Sequence, residues 1–333
     1  MKWSTAAGLV VCFGVLGLVA RRVTAQPPLT PRETLDNVEA RLDEANFAPR
    51  ELLGILERTL RDSRTRESEE LTRATLQMRA RLYQRLGAFA DAREDLERIS
   101  TLYGGTDAPL RLQIIELLSD EGHVAEAWQR TIHLLAADPS LHKAWRMRAD
   151  LERLQANEAA DRARNALSKV LVSVERDEAL AILEQVLARR PGDPDRARLA
   201  GELRAVFARV REDAAVANIL DHADRSSDLL ADARHAYAST IQLSGDLEAI
   251  DILQQMLADA GRPDLAAGIG MAARTLPGAT EDYRLTHTLI NSLVELGQVD
   301  RAMRIMSEID WRKPEVDLAF VQAAGRIMHE AES

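Results

Sequence analysis

The side chains that could carry out chemistry are spread along this 333-residue sequence without forming a recognisable catalytic pattern. Seven histidines are present, and His222 with its acidic neighbours Asp221 and Asp224 is the set considered as metal ligands. Because adjacent residues of a helix point in different directions, we interpret this triplet as a solvated stretch rather than a metal site. The motifs of zinc proteases, phosphate-binding loops, serine hydrolases and dinucleotide-binding folds do not occur. The sequence therefore predicts no catalytic residue, no metal and no cofactor.

Composition narrows the classes of protein further. The formal net charge is −10, and only 4% of the residues are aromatic. Long-range repulsion and the lack of a basic block with interleaved aromatics exclude nucleic acid as a partner. The only cysteine, Cys12, lies near the N-terminus, so the body of the chain holds no disulfide or thiolate zinc site. The many Ala, Leu, Arg and Glu residues favour helix, which predicts an all-α fold.

An apolar segment opens the chain. Residues from Trp3 to Ala20 carry no charge and lie between Lys2 and the pair Arg21-Arg22. The segment fits a secretory signal peptide, with small residues at the Val-x-Ala motif that ends at Ala25, and it also has the length of a retained membrane anchor. The flanking charges nearly balance and leave the orientation open.

The Val-x-Ala motif followed by Gln-Pro-Pro favours export. We therefore expect the rest of the chain to lie outside the cytoplasm, in the periplasm or anchored at the inner membrane of a bacterial-type cell envelope. The alternative is an uncleaved anchor with the chain facing the cytoplasm. Membrane contact, if the segment is retained, is predicted only for residues 3–22.

A pattern of glycine, alanine and proline recurs along the body of the chain. Three times a glycine precedes an alanine by five residues, and a proline often follows that alanine twelve residues later. Glycine ends one helix in the left-handed conformation, alanine lets two helices cross closely, and proline ends the second helix. The residues that define the pattern are Gly87, Ala92, Gly122, Ala127, Pro139, Ala179, Pro191, Gly297, Ala302 and Pro314.

These residues resemble the tetratricopeptide repeat, in which glycine, alanine and proline follow in this order within a unit of about 34 residues. Trp145 matches the tryptophan of that family's first helix. The resemblance implies an all-α, right-handed α-solenoid of stacked antiparallel helix hairpins, preceded here by an N-terminal hydrophobic helix. The expected organisation is a signal peptide or membrane anchor at 1–25, a linker at 26–32, repeats at 33–208, a bend or irregular connection at 209–228, and further repeats at 229–333.

Two local helix starts are also predicted. Thr30, Pro31 and Glu33 have the residue types of a helix N-terminus. Ser226 and Ser227 are interpreted as the start of a later helix.

The resemblance also indicates where a partner would bind. In the family, the first helices of the hairpins line a concave groove that holds proteins or peptides. If the matched helices face such a groove here, its polar residues are Arg81, Glu116, Arg146, Asp150, His287 and Asn291. Several of them are four residues apart, which places them on one helix face.

The leading hypothesis is a non-enzymatic interaction scaffold of the cell envelope that binds a protein or peptide in an acidic groove. A membrane-tethered regulatory or assembly subunit facing the cytoplasm is the second hypothesis. An enzyme built on an α-solenoid is the third.

Overall fold

The computed structural model describes residues 29–42, 48–104, 107–171, 173–189 and 192–309. Within these ranges the regular secondary structure is entirely helical, which confirms the predicted fold class. The N-terminal segment 1–25, Pro191 and Pro314 lie outside the described residues.

Most helices follow one another with short connections. In chain order they are α1 (Pro31–Leu42), α2 (Pro49–Arg61), α3 (Ser63–Glu67), α4 (Glu69–Arg85), α5 (Phe89–Leu102), α6 (Ala108–Asp120), α7 (Val124–Ala137), α8 (His142–Val170), α9 (Ser173–Ala188), α10 (Pro194–Val210), α11 (Asp213–Ser244), α12 (Leu247–Asp259), α13 (Pro263–Ala273), α14 (Tyr283–Glu295) and α15 (Val299–Met306).

The predicted start of α1 is confirmed. The backbone N–H of Thr30 donates to Oε2 of Glu33 (2.8 Å), and the backbone N–H of Glu33 donates to Oγ1 of Thr30 (3.3 Å). This reciprocal pair satisfies backbone donors that the first turn of a helix leaves without partners.

The glycines of the repeat pattern end helices in the left-handed conformation. Gly87, Gly122 and Gly297 have φ angles of 71°, 82° and 70°. After each of them the chain closes a wide turn, in which the N–H of His123 donates to the carbonyl of Leu118 (2.8 Å). Ala88 and Gln298 make the equivalent bond after the other two glycines. Such a turn satisfies the last carbonyls of the helix and sends the chain back along it.

The alanines of the pattern lie where helices cross. Ala92, Ala127, Ala179 and Ala302 are all fully buried. A larger side chain would separate the two backbones at these positions. Pro139 follows the end of α7, and its carbonyl accepts a hydrogen bond from Nε1 of Trp145 (2.9 Å), which fixes the start of α8.

Contacts between residues divide the chain into two units, with the boundary at Leu110. In the first unit, α1, α2 and α4 share a core that α5 extends. Its central side chains are fully or nearly fully buried: Leu35, Val38, Leu42, Leu52, Leu56, Met78 and Leu82.

The second unit is organised around two long helices, α8 and α11. Ala149 and Tyr237 belong to one buried cluster, and Ala163 and Ala223 belong to another at the far end, so the two helices are antiparallel. The hairpin of α9 and α10 lies between them in sequence and packs on their far ends. The hairpins α12–α13 and α14–α15 follow and share further buried clusters.

The expected irregular connection at 209–228 is wrong for most of its length. Only Arg211 and Glu212 separate α10 from α11, and the residues from Asp213 onward are helical. Val216, Ile219, Leu220 and Ala223 recur at helical spacing and are buried against α9 and α10. Arg211 ends α10 in the left-handed conformation (φ 62°), without the glycine that marks other helix ends.

Ser226 and Ser227 are not a helix start. Both lie in the middle of α11 and are buried, with exposed fractions of 3% and 2%. The hydroxyl of Ser227 donates to the carbonyl of Ala223 one turn earlier (3.1 Å). Serine satisfied in this way is compatible with a helix interior.

Candidate functional site

Arg146 is the most connected of the residues selected from the sequence. Its guanidinium lies 3.0 Å from Asp150 on the same helix, 3.3 Å from Asp246 and 3.2 Å from Glu248. Burial alone would lower the pKa of Arg146, but the carboxylates of Asp150, Glu248 and Asp246 raise it above its ordinary value. The charge therefore persists, and it ties α8 to the N-terminus of α12.

Asp246 serves two purposes at that N-terminus. Its Oδ1 accepts hydrogen bonds from the backbone N–H groups of Glu248 (3.0 Å) and Ala249 (3.1 Å), which caps α12. Its Oδ2 lies toward Arg146. One carboxylate thus starts the helix and holds it to its neighbour.

Asp150 joins α8 to α11 through Tyr237. The hydroxyl of Tyr237 donates to Oδ1 of Asp150, and Nε of Arg146 donates to Oδ2 (3.0 Å). The Tyr237 ring is fully buried, and the Arg146 guanidinium lies 5.6 Å from its centroid. Burial and the neighbouring carboxylate raise the pKa of Tyr237. The phenol therefore stays protonated at neutral pH and keeps donating to Asp150.

His287 and Asn291 lie one turn apart on α14 and contact each other, with Nδ2 of Asn291 3.2 Å from Nε2 of His287. Thr288 on the same helix donates to Oδ1 of Asp251 on α12 (3.2 Å). Burial raises the pKa of Asp251, and the bond from Thr288 opposes that rise. Asp251 thus links the α14 pair to the same helix that Arg146 reaches.

Seven polar residues therefore belong to two contact networks that share α12, one with α8 and one with α14. We call this set the α8–α12–α14 face: Arg146, Asp150, Asp246, Glu248, Asp251, His287 and Asn291. Four of the seven were selected from the sequence. Asp246, Glu248 and Asp251 were missed, although Asp246 directly after Gly245 is a recognisable helix cap.

The remaining two candidates lie elsewhere. Glu116 on α6 is exposed, and partial enclosure by its surroundings raises its pKa, with Asp120 adding to the rise and Lys143 of α8 opposing it. Arg81 lies in the first unit and is 67% exposed, with its guanidinium 3.3 Å from Glu39. The structure thus does not join Arg81 to the α8–α12–α14 face.

A cleft of about 410 Å³ lies on the second unit, between α8, α9, α11 and α12. The face of α8 that carries Arg146 and Asp150 continues into it through Arg153, Asn157 and Arg164, at helical spacing. Charged, polar and apolar side chains alternate along its walls, among them Arg153, Arg164, Arg234, Gln255, Met256 and Asp259.

The guanidinium of Arg164 is already paired with carboxylates of the protein itself. It donates to both carboxylate oxygens of Glu184 (2.7 and 2.9 Å) and to Asp161 (3.0 Å). The hydrogen bonds from Arg164 hold the pKa of Glu184 below its usual value. Asp259, at the other side of the cleft, has its pKa raised by burial.

Two further searches concern only the residues described by the structure. No group of three or more histidine, cysteine, aspartate or glutamate side chains there is arranged to hold a metal ion. No helix in those ranges is both long and apolar enough to cross a membrane.

No protein-family model matches this sequence, and neither does any curated protein. Among solved structures, a tetratricopeptide protein of Thermus thermophilus covers 77% of this chain and 99% of its own, with 12% identity and a TM-score of 0.39. One from Parabacteroides merdae covers 85% and 94%, with 11% identity and a TM-score of 0.35. Yeast Tom70 covers 93% and 67%, with 15% identity and a TM-score of 0.27.

The helices of this chain define its class by themselves. Antiparallel hairpins, left-handed glycines at their turns and buried alanines at their crossings make it a tetratricopeptide-like helical-repeat protein.

Proposed function

We propose that this protein is an interaction scaffold that binds a protein or peptide along the α8–α12–α14 face. The observation that carries the proposal is that α12 shares one polar network with α8 and another with α14, beside a cleft that α8 and α12 also line. Acids outnumber bases on it: Asp150, Asp246, Glu248 and Asp251 stand against Arg146. A partner with basic side chains complements this surface.

Binding rather than catalysis fits the chemistry of these groups. Asp150 and Asp246 are engaged by Arg146, and Asp251 by Thr288, so the face offers recognition groups held in place by neighbours. The raised pKa of Asp251 marks a carboxylate that the fold keeps in a partly buried position, a feature that clusters at functional sites.

Site-specific photocrosslinking tests the proposal. A photoreactive amino acid replaces Glu248, which is exposed on the face, or Arg284, which is exposed beside it. The matched control replaces exposed Glu202 on α10. In the native host, the first two positions are expected to capture the same discrete partner, and the control is not. Equal capture at all three positions, or none at any, would contradict binding at this face.

The cell envelope is the proposed location. The support is the N-terminal apolar segment with its Val-x-Ala motif, in a stretch beyond the described residues. A mature chain that begins at Gln26 in the soluble envelope fraction would support export. An intact Met1 in the membrane fraction would rule out cleavage, and reporter fusions at the C-terminus would then separate an outward-facing scaffold from the cytoplasmic alternative.

A further inference from the structure

One arginine of α8 differs from the four others on that helix. Arg146, Arg148, Arg162 and Arg164 each lie within 3.3 Å of a carboxylate. Arg153, in the middle of the same helix, makes no hydrogen bond or ion pair with any residue that the structure describes. A guanidinium that lines a cleft and has no carboxylate partner is available to an anion from outside the protein.

The surroundings of Arg153 specify the anion further. Arg234 lines the same cleft, and Glu184 is already matched by Arg164. Leu230, Ile252 and Met256 provide apolar lining beside these charges. In this cleft Arg153 therefore places an unmatched positive charge next to apolar surface.

Asp259 restricts where a ligand's carboxylate would lie. It sits on α12, the wall that also carries Gln255 and Met256, whereas Arg153 sits on α8. A bound carboxylate would be repelled by Asp259 on the α12 wall and attracted by Arg153 on the α8 wall. The volume of about 410 Å³ is within the range of sites that take a few side chains rather than a whole domain.

From this arrangement we infer that the cleft binds an acidic anchor of a partner peptide: an aspartate or glutamate paired with Arg153, beside an apolar side chain packed on Leu230, Ile252 and Met256. The inference rests on the proposed binding function and names the chemistry of one part of the partner. The basic part of that partner lies along the α8–α12–α14 face, and the acidic anchor lies in the cleft.

Selection from a library of random peptides about twelve residues long tests this specificity. The purified full-length chain is expected to enrich peptides with an acid next to Leu, Ile, Met or Phe. Arg153→Gln is expected to lose that preference and to bind the best wild-type peptide about tenfold more weakly, since a charge-assisted hydrogen bond is removed. Arg153→Glu is expected to select basic residues at the same place.

Arg162→Gln is the matched control, because Arg162 lies on the same helix, pairs with Glu158 and does not line the cleft. Circular dichroism should show all variants folded, since Arg153 makes no hydrogen bond or ion pair with a described residue. The inference would be overturned if no peptide were selected or if the selected peptides showed no preference for acids. It would also be overturned if both glutamine variants lost the same amount of affinity. A concentration-dependent dimer that Arg153→Gln abolishes would overturn it as well, since the occupant would then be a second copy.

The crosslinking experiment separates failure of this inference from failure of the proposed function. Capture at positions 248 and 284 without an acidic preference in the selected peptides would leave the scaffold proposal standing and remove the anchor. Loss of specific capture would remove the scaffold proposal itself.

Discussion

A single buried guanidinium holds three helices together in the second unit. Arg196, at the start of α10, is 7% exposed. Its Nη1 donates to the carbonyls of Val186 (2.5 Å) and Arg189 (2.7 Å), where α9 ends, and to Oγ of Ser227 on α11 (2.6 Å). Nη2 donates to Asp224, also on α11 (2.7 Å). A lysine cannot replace this fork, because a single nitrogen on a shorter side chain cannot serve the acceptors of both Nη1 and Nη2.

Arg196→Lys should therefore lower the free energy of unfolding by about 2–4 kcal/mol, as buried carbonyls lose their donors. Urea unfolding followed by circular dichroism measures the change. The control is Arg198→Lys, two residues away, whose exposed guanidinium contacts only Asp195 and Glu202 at the surface. A control that loses as much stability as the Arg196 variant would show that the fork has no special role.

Asp251 belongs to the proposed binding face and destabilises the folded state at neutral pH. Burial raises its pKa, so the folded state holds the proton more tightly than the unfolded chain does. Stability from this group is fully present below the unfolded pKa and is lost as the pH rises through the folded value. At neutral pH the ionised carboxylate is therefore unfavourable, and the fold keeps it nonetheless.

Asp251→Asn removes the charge and keeps an oxygen that accepts from Thr288. We expect the variant to be more stable than the wild type at neutral pH, by on the order of 0.5–1 kcal/mol, with the difference vanishing below about pH 3. Thermal unfolding across that pH range measures it. If the variant is equally stabilised at both pH values, the cause is packing rather than ionisation.

At the scale of elements, the turn glycines and the helix glycines have opposite effects on stability. Gly122 adopts a φ of 82°, and a Cβ added there would meet no atom within 4 Å. Gly201 lies inside α10, also without a neighbour within 4 Å. Steric space is therefore the same at both positions, and only the backbone conformation differs.

Gly122→Ala should lower the free energy of unfolding by about 1 kcal/mol, because alanine adopts the left-handed conformation at that cost. Gly201→Ala should raise it by about 0.5–1 kcal/mol, since alanine favours the helix and restricts the unfolded chain. Denaturant unfolding of the two variants shows directly whether each substitution lowers or raises the free energy of unfolding. Destabilisation by Gly201→Ala would mean that α10 has a neighbour at that position which the structure does not show.

The elements also show how far the sequence could predict this fold. Gly87, Gly122 and Gly297 identify their hairpins because glycine adopts the left-handed conformation of the turn at the lowest cost. The long α8–α11 pair was not predicted, since nothing local to Asp150 reveals that its partner Tyr237 lies 87 residues later. The pair of Arg146 and Asp150 was visible as a four-residue spacing, whereas Asp246 and Glu248 reach Arg146 only through the tertiary fold.

At the scale of the whole molecule, each of the two units has its own buried core. Leu56 is fully buried in the first, and Leu183 is fully buried in the second. In proteins of stacked repeats, stability is a sum of local terms with coupling between neighbours, so a single two-state transition is not required. The tryptophans allow the units to be followed separately, because Trp128 and Trp145 both belong to the second unit.

A chain with Trp3→Phe and Trp311→Phe keeps only those two tryptophans as fluorescent reporters, while circular dichroism follows the helices of both units. In this background, Leu56→Ala should destabilise the first unit by about 2–5 kcal/mol, shift the circular-dichroism transition and leave the fluorescence transition in place. Leu183→Ala should shift the fluorescence transition together with the part of the circular-dichroism transition that belongs to the second unit. If Leu56→Ala moves both signals by the same amount, the two units unfold as one cooperative body, and coupling between repeats extends across the boundary at Leu110.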